Sequence, residues 1–399
     1  SAAAGAVVSI YLDWNATTPP LPSVLEAMDR AGRDAWGNPS SVHAVGSRAR
    51  KLVEDARDAV ARLCRRHARE VVFTSGGTEA NNLALGWVTG AGALLITSRL
   101  EHPSIAKVAE RLGARGVAVH WLGVGPEGRV DPGEVDAVLA QRGAGGRVLV
   151  AVQAANHETG VVQPVAEIIG TAHSRGARVH VDAAQAVGKM DCEAWRDADT
   201  IAIAAHKIRG PKGVGALIAS ACDGLEPLMA GGGQEYGIRP GTVSGTLAAG
   251  FGVAADWAID APVRYGGVRT LRDRLEAGLL ALGGRVNGTA PRLPHVLSVS
   301  FEGRRGDEIV AGLDQEGVCV SSGSACSSGA AERSPVIDAM LGAGRASGAV
   351  RASLGDATTL EEVEGALAAW ARVIGRTGMD EVLLEAMDPS LLVPWKNDA

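Results

Sequence analysis

The stretch Thr200-Ile201-Ala202-Ile203-Ala204-Ala205-His206-Lys207 is an apolar run that ends in a lysine and leads into the turn Gly210-Pro211. Apolar runs of this length between turn signals are typical of strands buried in a parallel sheet. Upstream, Arg178-Val179-His180-Val181-Asp182 is a second such run, and it ends in a carboxylate. Because ligands bind beyond the carboxyl ends of parallel strands, we expect Asp182 and Lys207 to share one site.

The pairing of Asp182 with Lys207 indicates one kind of cofactor. A lysine desolvated at a strand end can lose its proton and act as an amine nucleophile. Pyridoxal phosphate requires such an amine for its aldehyde and an acid for its ring nitrogen. Taken alone, Lys207 has an alternative interpretation as a solvated turn residue. The acid on the neighbouring strand favours the cofactor site.

Length and composition set limits on the partners. The chain has 399 residues, a length that favours one large domain and one smaller domain. Its residues are 46% hydrophobic and 21% charged, as in ordinary globular proteins. Its net charge of -6 gives no basic surface for nucleic acid. The sequence shows neither a signal peptide nor a run long enough to span a membrane. We expect a cytoplasmic protein that binds neither nucleic acid nor membrane directly.

The cysteines argue against a structural metal or a disulfide framework. Their number is odd and none forms a CxxC pair, so we expect no metal site. Cys326 stands out because it lies in Ser321–Gly329, a segment of small residues with nothing large enough to bury a thiol. An exposed thiol is either a nucleophile or a chemical liability, and the residues alone leave both open. The other four are expected to be core or surface residues: Cys64, Cys192, Cys222 and Cys319.

The hydrophobic pattern predicts an α/β fold. Strands alternate with helical stretches between Val71 and Leu217, which is typical of a mostly parallel sheet flanked by helices. We expect a large domain over 15–260 and a smaller α+β domain formed by 1–14 with 261–399. A long helical region is expected from about Leu247 to Leu282. The predicted strands are Glu70–Phe73, Ala93–Thr97, Val117–Leu122, Val148–Gln153, Arg178–Asp182, Thr200–Ile203, His295–Phe301, Val318–Ser321 and Ala349–Leu354.

Three further segments offer groups for such a site. The run Thr74–Asn82 follows a strand and opens a helix, so its amides and the Thr78 hydroxyl can hold a phosphate. Its alternative is a plain helix cap. His102 can stack on a cofactor ring, although a lone histidine is often structural. Arg351 can grip a substrate carboxylate, or simply pair with an acid of the protein.

Together these motifs resemble the cysteine desulfurases of the NifS/IscS type, which are class V members of the fold-type I pyridoxal-phosphate enzymes. The resemblance covers essentially the whole chain with the motifs in order. Its most specific part is Ser322-Gly323-Ser324-Ala325-Cys326, which separates desulfurases from other class V enzymes. The other motifs are Tyr11–Thr18, Gly37–Ser41, Thr74–Thr78, Glu101-His102, Glu158–Gly160, Val181-Asp182, His206-Lys207, Gly231–Glu235 and Arg351–Gly355.

The resemblance implies a role for each candidate residue. Lys207 holds the aldehyde, and Cys326 is the thiolate that takes the substrate sulfur. The cofactor ring is held by Asp182 at its nitrogen, by Gln185 at its phenolic oxygen and by His102, which stacks on it and moves protons. The phosphate is gripped by Gly77, Thr78 and His206, with Thr242 from the other subunit of a homodimer. The substrate is bound by Arg351 and Asn38.

Three positions depart from the family pattern. His157 replaces an asparagine expected to donate to the phenolic oxygen and to help hold substrate, so it is a candidate for both roles. Ala204 replaces a serine that binds the phosphate, and Tyr236 replaces an arginine. Loss of one neutral hydrogen bond costs about 0.5 to 1.5 kcal/mol, so activity is expected to survive.

The expected function is conversion of L-cysteine to L-alanine, with a persulfide on Cys326 for transfer to a protein sulfur acceptor. The sequence does not identify that acceptor. A second enzyme interpretation keeps pyridoxal phosphate but makes the protein a selenocysteine lyase or another class V aminotransferase. A third, from a different class, is a non-catalytic sulfur-relay scaffold in which Ala204 and His157 mark decay of the site.

Overall fold

The computed structural model describes residues 9–142, 145–220, 224–289, 291–323 and 333–376. The chain divides into two compact units. The larger unit contains Asn15–Gly266 and Gly288–Leu293. The smaller unit contains the described residues of Ser1–Trp14, Gly267–Asn287 and Pro294–Ala399. Among the described helices, none combines the length and the apolar character needed to cross a membrane.

The strands, in chain order, are β1 (Ile10–Tyr11), β2 (Val71–Thr74), β3 (Leu94–Ser98), β4 (Ala118–Leu122), β5 (Val148–Gln153), β6 (Arg178–Asp182), β7 (Thr200–Ala204), β8 (Gly215–Ala219), β9 (Arg285–Val286), β10 (Val296–Ser300), β11 (Val318–Cys319), β12 (Ser321–Ser322) and β13 (Ala349–Ser353). The helices are α1 (Pro22–Asp34), α2 (Ala44–Leu63), α3 (Gly77–Leu85), α4 (Pro103–Ala114), α5 (Pro132–Ala140), α6 (Val165–Ser174), α7 (Gly245–Ile259), α8 (Ala261–Ala281), α9 (Gly306–Gln315), α10 (Pro335–Leu341), α11 (Ala343–Ser347) and α12 (Leu360–Arg376).

The larger unit contains the mostly parallel sheet that the sequence predicts. Among its described residues the strand order is β2-β8-β7-β6-β5-β3-β4. The strands from β7 to β4 run parallel, whereas β8 is antiparallel to both of its neighbours. All residues of β5 and β7 are buried, as expected for strands covered on both faces. The predicted α/β class is therefore confirmed, but β8 is a strand that the sequence reasoning missed.

The sheet register aligns the strand ends that matter for the site. Gln153 of β5 pairs with Asp182 of β6, and Asp182 pairs with Ala202 of β7. Because β7 continues two residues beyond that pair, the chain reaches Lys207 just past the same edge. The expectation that Asp182 and Lys207 follow neighbouring parallel strands is confirmed.

The smaller unit is built on an antiparallel sheet. Its described strands are ordered β12-β13-β10-β9, and β1 pairs separately with β11 in parallel. The single strand expected over Val318–Ser321 is wrong, because β11 pairs with β1 whereas β12 pairs with β13. The long helical region expected from Leu247 to Leu282 consists of two helices, α7 and α8. Pro262 lies in the first turn of α8, where its missing N–H is tolerated, and α7 ends just before it.

A buried ion pair fixes the Gly-rich segment that follows the sheet. Arg57 of α2 and Glu235 are 4% and 6% exposed, and their side chains meet in two hydrogen bonds of 2.7 and 2.9 Å. Glu235 also accepts from the backbone N–H of Phe73 in β2 at 2.6 Å. Both Glu235 and Tyr236 have positive φ angles, which are unfavourable for residues with side chains. The ion pair therefore holds a strained turn against α2 and β2.

Replacing Glu235 with Gln should destabilise the larger unit strongly. The variant leaves the buried Arg57 guanidinium with only the half-exposed Glu54 carboxylate as a counter-ion. Breaking a buried pair costs about 3 to 5 kcal/mol. Urea unfolding of the purified protein measures the change. The matched control is Asp256→Asn, since the Arg62–Asp256 pair joins α2 to α7 at 2.7 Å on the surface. Exposed pairs contribute about 1 kcal/mol or less. Equal urea midpoints for the two variants would contradict the structural role of the buried pair.

Candidate functional site

The Asp182 carboxylate is buried at the carboxyl end of β6 and is held by two donors. Its Oδ2 atom accepts a hydrogen bond of 2.8 Å from the Asn81 side chain on α3. Its Oδ1 atom accepts one of 2.9 Å from the backbone N–H of Ala184. A buried carboxylate is costly unless it is hydrogen-bonded, and these two contacts satisfy that need. The acid is thereby fixed at the sheet edge where the sequence places it.

Asn81 connects this acid to two further side chains. Its amide nitrogen lies 2.8 Å from Ser104 Oγ at the start of α4, and its oxygen lies 2.9 Å from His180 Nε2. The other ring nitrogen of His180 lies 2.9 Å from the Thr200 hydroxyl on β7. Burial lowers the pKa of His180 to about 4, although the Asp182 charge opposes that shift. His180 is therefore neutral at pH 7.

His102 stands at the N-terminal cap of α4 and turns one ring nitrogen towards Ser104. Its Nδ1 atom lies 2.7 Å from Ser104 Oγ and accepts from the Ser104 backbone N–H at 3.1 Å. Burial lowers the pKa of His102, the Asp182 carboxylate acts to raise it, and Lys207 acts to lower it. His102 is linked to the acid by contacts through Ser104 and Asn81 to Asp182.

Lys207 is held by the segment that precedes α1. Its Nζ atom donates to the backbone oxygens of Asn15 and Ala16, the latter at 3.0 Å. The Asn15 oxygen also accepts from Gln185 Nε2 at 3.1 Å. Gln185 is buried, and its Oε1 atom has no hydrogen-bond partner among the described residues. The segment thus brings Lys207 and Gln185 together, and the Gln185 amide has capacity left for a ligand.

The predicted phosphate-binding loop meets the end of β7. A methyl group on Gly77, the first residue of α3, would lie 3.7 Å from the Ala204 Cβ atom. Two residues further, His206 contacts the Thr17 hydroxyl at 3.2 Å. Burial, followed by the charge of Lys207, lowers the pKa of His206 to about 4, so that it is neutral at pH 7. Gly77, Ala204 and His206 therefore lie at one edge, with Thr78 exposed on the first turn of α3.

His157, the departure from the family asparagine, lies against His102. The two rings meet edge to face, with centroids 5.4 Å apart. The backbone oxygen of His157 accepts from the Asn15 side chain at 3.1 Å, and its Nε2 atom lies 3.7 Å from Glu158 Oε1. Asn156, by contrast, is used within its own loop, where its Oδ1 atom accepts from Glu158 and Thr159. Of the two, His157 is the one placed beside the ring-stacking candidate.

Three of the remaining predicted residues are described by the structure, and Cys326 is not. Arg351 belongs to the smaller unit, where it is buried and donates to Asp13 Oδ1 at 2.7 Å. The alternative expected for it, an ion pair with an acid, is therefore present. A guanidinium has five N–H donors, so this pair leaves its proposed role with substrate open. Asn38 and Thr242 are exposed. Cys326 and Cys222 lie outside the described residues.

Three residues that organise the site were not predicted from the sequence: Asn15, Asn81 and Ser104. Asn81 lies in the quoted run Thr74–Asn82, and it is a fully buried amide on a short helix. A polar residue on the apolar face of a helix was the available signal. Nothing in the local pattern of Asn15 predicts that its backbone oxygen receives two side chains from distant segments.

Comparison with known proteins places this arrangement in a family. The model of the aminotransferase class-V family matches residues 10–365. A cysteine desulfurase of Cereibacter sphaeroides is 41% identical over 365 residues, which cover 89% of this chain and 93% of that protein. A solved NifS-like protein superposes with a TM-score of 0.84 at 32% identity, over 92% of this chain and 99% of the other. A second structure, of SspA in complex with cysteine, gives a TM-score of 0.76 at 28% identity over 88% and 99%.

The fold is that of the fold-type I pyridoxal-phosphate enzymes. The chain belongs to the class-V aminotransferase family and, within it, to the cysteine desulfurases. The residues fit the cofactor, because the edge presents a carboxylate, an amine and an imidazole. The buried Gln185 amide also has an oxygen with no partner among the described residues, and its nitrogen has a second N–H besides the one given to Asn15. The resemblance drawn from the sequence is therefore confirmed at the level of the family.

Ala204→Ser should tighten the retention of pyridoxal phosphate. Ala204 lies beside Gly77, where a methyl group would contact the Ala204 Cβ atom at 3.7 Å, so a hydroxyl at position 204 would supply the donor expected from the family serine. One neutral hydrogen bond is worth about 0.5 to 1.5 kcal/mol, which corresponds to roughly a 2- to 10-fold lower dissociation constant. Equilibrium dialysis of the cofactor measures it.

Ala202→Ser is the matched control, because Ala202 lies on the same strand two residues deeper in the core. Its hydroxyl is buried away from Gly77 and should bring no gain in retention. If Ala204→Ser bound the cofactor no better than the wild type, the phosphate site would lie elsewhere.

Proposed function

We propose that the protein converts L-cysteine to L-alanine and collects the sulfur as a persulfide on Cys326. The observation that supports this most is the convergence of Asp182, Lys207 and His102 at one sheet edge of a cysteine desulfurase fold. The cysteine present in the related SspA structure supports the choice of substrate. In this reaction the carbon–sulfur bond breaks, a sulfur–sulfur bond forms on the thiolate, and the substrate carbon gains a proton.

The proposed cofactor ligands follow from what each group can donate or accept. Pyridoxal phosphate, when bound, supplies an electron sink that weakens bonds at the substrate carbon. Lys207 would hold its aldehyde, Asp182 its ring nitrogen, and Gln185 with His157 its phenolic oxygen. Gly77, Thr78 and His206 would hold the phosphate. The neutral state of His206 suits a hydrogen-bonding role better than a role as counter-ion.

Two residues of the protein handle protons in this scheme. Lys207 Nζ is held beside the backbone oxygens of Asn15 and Ala16, which accept hydrogen bonds and so orient the amine. Burial lowers the pKa of His102 and so favours the neutral imidazole, which can both donate and accept a hydrogen bond. We propose that these two groups move protons to and from the substrate, and that the His157 ring positions His102 from one side.

The remaining proposals concern substrate and partners. Arg351 would bind the substrate carboxylate, and Asn38 and His157 would help to hold the substrate. The active form would be a cytoplasmic homodimer in which Thr242 reaches the phosphate of the other subunit, and its exposed side chain is available for such a contact. A protein of unknown identity would accept the sulfur. Because the residues around Cys326 are small, its thiol would be accessible to both the substrate and the acceptor.

Cys326→Ser should retain the cofactor and bind cysteine, but form almost no persulfide and little alanine. A hydroxyl is a poor nucleophile at neutral pH without an activating base, whereas a thiolate is a good one. The measurements are alanine release and mass spectrometry of the protein after incubation with L-cysteine.

Cys319→Ala is the matched control, because Cys319 is a free thiol of β11 seven residues from Cys326 in sequence. This variant should lose some packing contacts but should form as much persulfide as the wild type. Persulfide on Cys319, or a wild-type rate in Cys326→Ser, would contradict the assignment. Absence of alanine in the wild type would instead favour the scaffold.

A further inference from the structure

The contacts around His102 define which of its ring nitrogens carries a proton. A backbone N–H can only donate, and that of Ser104 points at His102 Nδ1 from 3.1 Å. Nδ1 is therefore an acceptor, and the ring proton belongs to Nε2. It follows that the Ser104 hydroxyl, 2.7 Å from the same Nδ1 atom, donates to it as well.

The direction of this hydrogen bond continues through Asn81. Ser104 Oγ gives its proton to His102, so it receives the hydrogen bond from the Asn81 amide at 2.8 Å. The second amide proton goes to Asp182 Oδ2, which leaves Asn81 Oδ1 as an acceptor. Its donor is His180 Nε2 at 2.9 Å. Because His180 is neutral, its Nδ1 atom accepts from the Thr200 hydroxyl.

We propose that Thr200, His180, Asn81 and Ser104 form a hydrogen-bonded chain with a single direction, which keeps His102 uncharged with its proton on Nε2. The four are positioning residues: they act on the reaction through His102 and Asp182. The catalytic meaning of the chain rests on the proposed function, but its direction rests on the hydrogen bonds alone. All six side chains belong to the larger unit.

The hydrogen-bonded chain opposes the tendency of the nearby Asp182 charge to protonate His102. The Asp182 anion on β6 favours an imidazolium, whereas Lys207 beyond β7 disfavours one. The His157 ring contacts His102, and Glu158 lies next to His157. Glu101, on the other side, is fully buried, and burial, with Asp182 adding to it, raises its pKa well above the usual value. A hydrogen bond donated to Nδ1 stabilises only the neutral ring, so it offsets the attraction of Asp182.

The test is a pH titration of His102 in the holoenzyme, followed by NMR with ¹⁵N-labelled histidine. His102→Gln identifies the signal among the nine histidines. We expect Nε2 to carry the proton in the wild type. Ser104→Ala should raise the titration midpoint by about 0.3 to 1 pH unit, because one hydrogen bond to the neutral ring is lost. Thr200→Val should shift it in the same direction, although Thr200 does not touch His102.

Thr200→Ser is the matched control, because it keeps the hydroxyl that Thr200→Val removes. It should keep the wild-type midpoint, which separates the chain from a packing effect at β7. A proton on Nδ1 in the wild type would overturn the proposal, and so would a wild-type midpoint in a folded Thr200→Val. If that variant does not fold, an unshifted midpoint in Ser104→Ala decides against the chain. Alanine formation by the wild type tests the proposed function separately.

Discussion

The site depends on how a buried carboxylate is kept at the end of β6. Asp182 is only 7% exposed, so its charge must be met by donors of the protein. The Ala184 backbone supplies one, and Asn81 supplies the other from α3. The second contact requires the first turns of α3 to lie against the sheet edge. The same helix begins at Gly77, and the need to satisfy Asp182 therefore also places the proposed phosphate loop.

A second constraint acts from the N-terminal side of the larger unit. The backbone of Asn15 and Ala16 accepts from Lys207 and Gln185, and the Asn15 side chain donates to the backbone of His157. Three segments far apart in sequence are thereby tied to one short stretch. The two hydrogen bonds from Lys207 go to backbone oxygens, so the stretch positions the amine through the path of its backbone rather than through its side chains. Asp182 and Lys207 are therefore both held in place by hydrogen bonds within the protein.

The sequence predicts strand ends better than it predicts side-chain partners. Asp182 and Lys207 were placed correctly because apolar runs of β6 and β7 have clear limits and parallel strands end together. The short strand β8 was not predicted, because nothing in its brief apolar run indicates the strands with which it pairs. The role of Asn81 was missed because it depends on long-range contacts with His180 and Asp182. The contact of Arg351 with Asp13 is of the same kind, since 338 residues separate the two.

We propose that Lys207 is the residue that holds pyridoxal phosphate. The most direct measurement is borohydride reduction of the protein incubated with the cofactor, followed by digestion and mass spectrometry of the peptides. Reduction makes the link between amine and cofactor permanent, so the labelled peptide identifies the anchor. The account predicts the added mass on the peptide that contains Lys207. Label on Lys189 or Lys212, which lie nearby in sequence, or no label at all, would contradict it.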